Sequence, residues 1–151
     1  MHDAVVSRAG DMDVVVMAAA VADYAPAERA EQKVAKEGDT LTLVLRKTAD
    51  ILGELGQRRV AKGSGPLLIG FAAETEDVVA HASAKRERKH ADLIVANDVS
   101  RADAGFDVDS NAVTIVGPAG AETLPLQSKS RVAAEILNRV EGLLSARPVK
   151  A

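Results

Sequence analysis

The sequence contains no cysteine and no tryptophan, and its aromatic residues are Tyr24, Phe71 and Phe106 alone. The missing cysteine excludes disulfides, a thiolate nucleophile and cysteine-ligated metal, and it fits a reducing, cytoplasmic setting. Three rings are too few platforms for stacking the successive bases of a single strand. Positive charge is not in surplus either. Nineteen Lys and Arg against 22 Asp and Glu give a formal charge of -3 at pH 7, whereas a nucleic-acid coat carries a basic excess. The histidines, His2, His81 and His90, show no ligand spacing, so a histidine-built zinc site is not expected. The longest apolar run, Val14–Ala22, is nine residues, short of the roughly 20 that a membrane helix requires. No basic-then-apolar leader is read at the start, so neither a membrane nor a secretory signal is expected. Several nucleotide signatures are missing too. No G-x-G-x-x-G follows a strand, no Walker lysine loop occurs, and no G-x-S-x-G elbow presents a nucleophile.

What remains is a chain of 151 residues, 47% apolar and 27% charged, enough for one globular domain with a core. "DVVVMAAAV", from Asp13, reads as a strand buried on both faces, the pattern of a parallel sheet. "TLTLVLRK", Thr40–Lys47, alternates and reads as a half-exposed strand. A helix is expected from Asp50 to about Lys62, then a buried strand in "PLLIGFAAE". "TEDVVAHASAKRERKHA" reads as a helix with acids first and bases last, matching the helix dipole. "DLIVAND" gives a third buried strand and "RADAGFDVDSN" a loop. "AVTIVG" and "ETLPLQ" read as a hairpin, Ser128 to about Ser145 as a last amphipathic helix, and residues 148–151 as a frayed tail. Alternating strands and helices imply an α/β domain with its ligand at the carboxyl ends of the strands. The start, "MHDAVVSRAGDMD", looks like the second half of a helix feeding a strand, with no strand before it.

Three strand ends carry candidate chemistry. In "AAAVADY" the alanines let a ligand approach the backbone, and Asp23 offers a carboxylate for a ribose hydroxyl or a base edge. The plainer reading is a strand-to-helix turn with Asp23 as a cap. In "GFAAET", Gly70 gives backbone access and Phe71 a ring on which a base could stack; the plainer reading is a core phenylalanine. In "KRERKH", Lys85 and Lys89 share a face, as do Arg86 and His90. Like charges at that spacing cost roughly 0.2–0.5 kcal/mol, and the helix C-terminus returns about 0.3–1 kcal/mol per charge. A solvated cationic helix end and a grip on a triphosphate are therefore equally admissible on physics alone. Lys33 lies in a charged stretch that is either a flap or surface loop.

In order and spacing, "AAAVADY", Lys33, "GFAAET", "KRERKHADLIVAND" and "GFDVDSNAVTIV" together resemble the phosphopantothenoylcysteine synthetase domain of bacterial bifunctional coenzyme A biosynthesis proteins. The resemblance runs from about Asp13 to the last helix. It implies a Rossmann-like three-layer α/β fold with a mainly parallel sheet and a C-terminal hairpin. The implied activity is a CTP-dependent phosphopantothenate–cysteine ligase. The carboxylate of 4'-phosphopantothenate is activated as an acyl-cytidylate with release of pyrophosphate, and L-cysteine then displaces CMP. The thiol in that chemistry belongs to the substrate, so a chain without cysteine is no obstacle.

The nucleotide contacts the resemblance implies are Met17, Ala18, Ala19, Asp23, Lys33, Ala49, Asp50, Ile51, Leu52, Phe71, Lys85 and Lys89. The resemblance also implies that Lys33 stands on a flap over the activated intermediate, as the catalytic lysine. Magnesium or manganese accompanies the nucleotide, with ligands left open among Asp23, Asp50 and Glu74. A homodimer is implied, Thr40–Lys47 being a candidate contributor, as is a fused or associated flavin-dependent decarboxylase domain; no flavin is expected in this chain itself. The family's Gly-rich opening turn and its later Ile-Ser-Asn…Ser-Ser-Gly motif are not found. The expectation is therefore that residues 1–147 form the C-terminal part of such a domain, lacking its N-terminal strand-helix unit, and that activity of the chain alone is reduced. Two rival readings remain at this point. One is another Rossmann-like enzyme binding NAD or NADP; the other is a non-enzymatic nucleotide-binding or oligomerisation module.

Overall fold

The computed structural model describes residues 1–29, 31–32, 38–98 and 109–147. Two compact units follow from the chain's internal contacts: residues 1–18 with 51–151, and residues 19–50.

The larger unit opens with α1 (His2–Val6) and a single 3-10 turn (Ala9–Asp11), then β1 (Val14–Met17). After the second unit come α2 (Ile51–Lys62), β4 (Leu67–Glu74), α3 (Val78–Lys89), β5 (Leu93–Asp98) and β6 (Ser110–Asn111). The hairpin β7 (Val113–Gly117) and β8 (Gly120–Thr123), then β9 (Gln127–Ser128) and α4 (Lys129–Ser145), complete it. A five-stranded sheet runs β1-β4-β5-β7-β8. β1, β4 and β5 pair in parallel, and β7 and β8 are each antiparallel to the preceding strand in that order. Four of the five strands therefore point the same way, and the expected mainly parallel sheet with a C-terminal hairpin is found.

Both faces are covered, giving three layers. Leu68, Ala72, Ile94 and Ala96 face a core shared with Ile51 and Leu55 of α2 and Ala82 of α3. Leu67, Ile69, Val95, Val113 and Ile115 face the other core, which α4 closes with Val132, Ile136 and Val140. The spacing of those three positions along α4, every fourth residue, makes one apolar stripe. Its start is set by Ser128, whose hydroxyl accepts from the Arg131 amide at 3.3 Å, a normal N-cap. On the opposite side of the hairpin, Thr114 and Thr123 sit in register and their hydroxyls meet at 3.0 Å.

Several expectations are corrected. The first strand stops at Met17 and is not buried on both faces. Among the described residues it lies at the edge of the sheet with β4 as its one partner, and Val16 is 43% exposed. The acids Glu76 and Asp77 precede α3 rather than filling its first turn, and Asp77 takes a left-handed conformation (φ 44°). The bases Arg86, Arg88 and Lys89 do occupy the last turn. That end is closed by His90 at φ 51°, with Ala91 N–H donating to Arg86 O and His90 N–H to Glu87 O. This is the Schellman arrangement, here with histidine where glycine is usual. The hairpin's second strand ends at Thr123, before Pro125, which lacks the N–H needed to continue a ladder. Of the loop expected over 101–111, residues 101–108 lie outside the described residues and Ser110–Asn111 form β6 instead; the tail 148–151 also lies outside them.

In the unit 19–50, β2 (Tyr24–Pro26) pairs antiparallel with β3 (Leu45–Lys47). The alternating segment Thr40–Lys47 is thus a strand only at its end. Its partner is three residues long, and one further bond, from the Ala27 N–H to the Val44 carbonyl at 2.9 Å, carries the pairing past Pro26.

A polar contact fixes α1 to α2. His2 Nε2 meets Glu54 Oε2 and His2 Nδ1 meets Asp3 Oδ1, both at 2.8 Å. Hydrogen bonding to Glu54, then to Asp3, holds the imidazole pKa above its ordinary value. The same bonds hold both carboxylates below theirs. A raised histidine pKa gives stability that is fully present below the ordinary imidazole range and is lost as pH rises through the raised value. The depressed carboxylates contribute above their ordinary range and lose that contribution on acidification. The contact is therefore strongest between the two ranges. His2→Ala is expected to lower the urea midpoint at about pH 5.5 and to leave it unchanged at about pH 9. An equal loss at both values would assign the effect to packing.

Candidate functional site

The carboxyl ends of β1, β4 and β5 form the edge where an α/β sheet receives its ligand. Met17 ends β1 and Ala18 follows it, exposed. β4 ends in Phe71-Ala72-Ala73-Glu74, and β5 in Asn97-Asp98. Alternation along β4 sends Phe71 to the core closed by α4, where it is half-buried. Ala72 goes to the opposite core, covered by α2 and α3. Phe71 and the α3 lysines therefore stand on different faces of one sheet edge.

Gly70 does not leave room for a ligand. A Cβ there would lie 2.5 Å from Leu52 Cδ2 and 2.8 Å from Ile94 Cδ1, so the missing side chain is what lets α2 pack onto β4. Ile51 and Leu52 open α2; Ile51 is buried in the core. With its side chain in the core, Ile51 can meet a phosphate only through its backbone, at a helix start of the kind that favours anions.

On α3, Lys85 and Lys89 are one turn apart, about 6 Å along the axis. Lys85 is anchored: its Nζ lies 3.3 Å from Glu74 Oε1. His81, one turn earlier, brings Nδ1 to 3.4 Å from Glu74 Oε2. The expected solvated reading holds for Arg88 and His90, which are exposed, but not for Arg86. Arg86 is half-buried, and its Nε finds no acceptor among the described residues. The far end of α3 is fixed from below. Arg59 of α2 ion-pairs with Asp92, and the other carboxylate interaction of Asp92 is with the Leu68 amide at 2.7 Å. At the crossing of α2 and α3, a Cβ on Gly56 would lie 2.0 Å from the Lys89 carbonyl oxygen.

In the unit 19–50, a strand and not a helix follows Asp23 directly, so the capping reading of Asp23 is replaced. The chain passes into β2, Thr48 N–H donates to Asp23 O at 2.9 Å, and the Thr48 hydroxyl donates to Ala22 O at 2.6 Å. These bonds hold the backbone of Asp23 and leave the residue exposed. Ala19, Ala49 and Asp50 are exposed as well. Lys33 lies outside the described residues.

Two contacts at the sheet edge were not anticipated. One is the Glu74 carboxylate between His81 and Lys85; the i, i+4 spacing of those two bases was visible, but the acid eleven residues before Lys85 gave no local signal. The other joins Asn97 and Asn111, whose amides meet at 3.0 Å where β5 ends. Among the described residues no three His, Asp or Glu side chains converge to hold a metal. No described helix is long and apolar enough to cross a membrane. A cleft of about 360 Å³ lined by Leu93, Ile115, Arg139 and Leu143 sits at the start of β5, the opposite end from Glu74, and includes none of the expected contacts.

Comparison with known proteins places these features. The sequence profile of the DNA/pantothenate metabolism flavoprotein C-terminal domain matches residues 1–144. The coenzyme A biosynthesis bifunctional protein CoaBC of Vibrio vulnificus (strain YJ016) is 42% identical over 146 residues, covering 95% of this chain and 36% of the relative. That of Bacillus subtilis (strain 168) is 42% identical over 144 residues, covering 95% and 34%. A crystal structure of the C-terminal domain of a CoaBC protein superposes with a TM-score of 0.73 at 36% identity, over 96% of this chain and 61% of that one. The chain spans about a third of the length of the curated relatives it matches.

Proposed function

The chain belongs to the family of the DNA/pantothenate metabolism flavoprotein C-terminal domain, and from that premise we propose that it performs the ligase step of coenzyme A biosynthesis. In this reading 4'-phosphopantothenate and L-cysteine are joined at the expense of CTP. A carboxylate oxygen of phosphopantothenate attacks the α-phosphorus, pyrophosphate leaves, and cysteine then attacks the acyl carbon to release CMP. The observation that carries the reading is the lysine row of α3, Lys85 and Lys89, beside the carboxyl end of β4 in a chain of this family.

Phosphoryl transfer of this kind is mainly positioning and charge neutralisation. Lys85 and Lys89 suit that task as point charges on one helix face, and Asp23 is assigned a ribose hydroxyl by family resemblance. Lys33 is assigned the catalytic position over the intermediate by family resemblance. Magnesium would neutralise phosphate charge, ordinarily through phosphate oxygens and one or two carboxylates. The exposed Leu41, Leu43, Val44 and Leu45 favour a homodimer formed through the unit 19–50. A cytoplasmic location and a fused or associated flavin-dependent decarboxylase complete the proposal, with residues 1–147 as part of the ligase domain.

The test is a thermal-shift panel of CTP, ATP, NAD and NADP with magnesium. Stabilisation by CTP is expected, followed by pyrophosphate release on adding both substrates. Stabilisation by NAD or NADP alone would replace the ligase reading with a dehydrogenase-like one.

A further inference from the structure

Lys85 and Glu74 are unequal partners. The Glu74 side chain is 15% exposed and belongs to a strand; the Lys85 side chain is 28% exposed and reaches it from a helix. The carboxylate is the fixed point and the ammonium the movable group. A lysine stem has four rotatable carbons and ends in three donors. Tethering one N–H to Glu74 Oε1 leaves two donors for another anion, while His81 occupies the second carboxylate oxygen at 3.4 Å.

We propose that Glu74 is a positioning residue for the nucleotide: it holds the Lys85 ammonium at the carboxyl end of β4, ready to bridge to a phosphate oxygen. The inference rests on the reading that Lys85 contacts the triphosphate. Its sign is informative. A carboxylate beside a polyanion repels it, so if Glu74 merely competed for Lys85, removing it would tighten nucleotide binding. If it positions Lys85, removal loosens binding, and the loss passes wholly through Lys85.

Calorimetric titration of the chain with magnesium–CTP separates these cases in Glu74→Ala, Glu74→Gln, Lys85→Met and the Glu74→Ala/Lys85→Met double variant. Glu74→Ala is expected to weaken binding about five- to tenfold, as the loss of an ordered charge-assisted contact would. Glu74→Gln keeps an acceptor oxygen for the ammonium and is expected to bind within about twofold of the parent. In the Lys85→Met background, Glu74→Ala is expected to have no further effect, the signature of two residues acting as one unit. Tighter or unchanged binding by Glu74→Ala would overturn the positioning role. So would an equal loss in the Lys85→Met background, or failure of Glu74→Gln to recover affinity. If the parent chain does not bind CTP, or Lys85→Met binds as well as the parent, the nucleotide reading falls and this role falls with it.

Discussion

In a chain carrying Lys85→Met and Lys89→Met together, affinity for magnesium–CTP is expected to fall at least about a hundredfold. Each charge-assisted bond to phosphate is worth about 1.5–3 kcal/mol, and two of them exceed the roughly 2.7 kcal/mol that a hundredfold represents. Methionine preserves the length and apolar packing of the stem, so the substitution removes charge more than structure. The fold should tolerate it. The Glu74–Lys85 pair is partly open to solvent on the lysine side, and such pairs contribute about 0–1 kcal/mol to stability. The measurement is calorimetric affinity alongside a urea midpoint. A dissociation constant within threefold of the parent, with the fold intact, would remove α3 from the nucleotide site.

Gly56→Ala is expected to destabilise the chain by about 3 kcal/mol, the upper part of the range for overpacked sites. Two effects oppose one another. Alanine in a helix interior gains about 1 kcal/mol over glycine. Against that, the new Cβ would stand 2.0 Å from the Lys89 carbonyl oxygen and 3.0 Å from His90 Cβ. The obstructing atom is backbone, held by the α3 terminus and by Arg59 through its bonds to that segment, so it cannot swing aside as a side chain would. The clash wins. For a chain of this size a loss of that magnitude lowers Tm by roughly 6–12 °C. The residue displaced is Lys89 itself, so CTP affinity should fall in the same variant. A Tm within about 2 °C of the parent would show that α3 yields at little cost.

The fold was legible where hydrophobic pattern and sheet position agree. "PLLIGFAAE" and "DLIVAND" read as buried strands and lie in the middle of the sheet; Leu68, Ile69, Ile94 and Val95 are fully buried. "DVVVMAAAV" carries the same local pattern but occupies an edge, and no local pattern reports how many neighbours a strand will have. Thr40–Lys47 shows the converse: alternation was present, but among the described residues only Leu45–Lys47 have a strand partner, in Tyr24–Pro26. The candidate site was legible in its lysines because i, i+4 spacing is a helix property. Glu74 was not, because its contact with Lys85 depends on how α3 lies against β4. Gly70 and Gly56 were likewise opaque. A glycine that clears a path for a ligand and one that admits a neighbouring helix look identical in one dimension.

The position of β1 also bears on the order in which the molecule assembles. Val14 pairs with Leu67, a separation of 67 − 14 = 53 residues, whereas Ile69 pairs with Leu93, a separation of 93 − 69 = 24. Closing the longer loop costs about 0.7 kcal/mol more, or roughly a threefold lower closure probability. The β4–α3–β5 crossover is thus favoured to form first, with β1 docking afterwards. Pulse-labelled hydrogen exchange during refolding should find β5 amides protected before those of β1, and the reverse order would contradict this. The lysine row and its carboxylate anchor both lie within that shorter loop, so the edge proposed to bind the anion is in place before the sheet is complete.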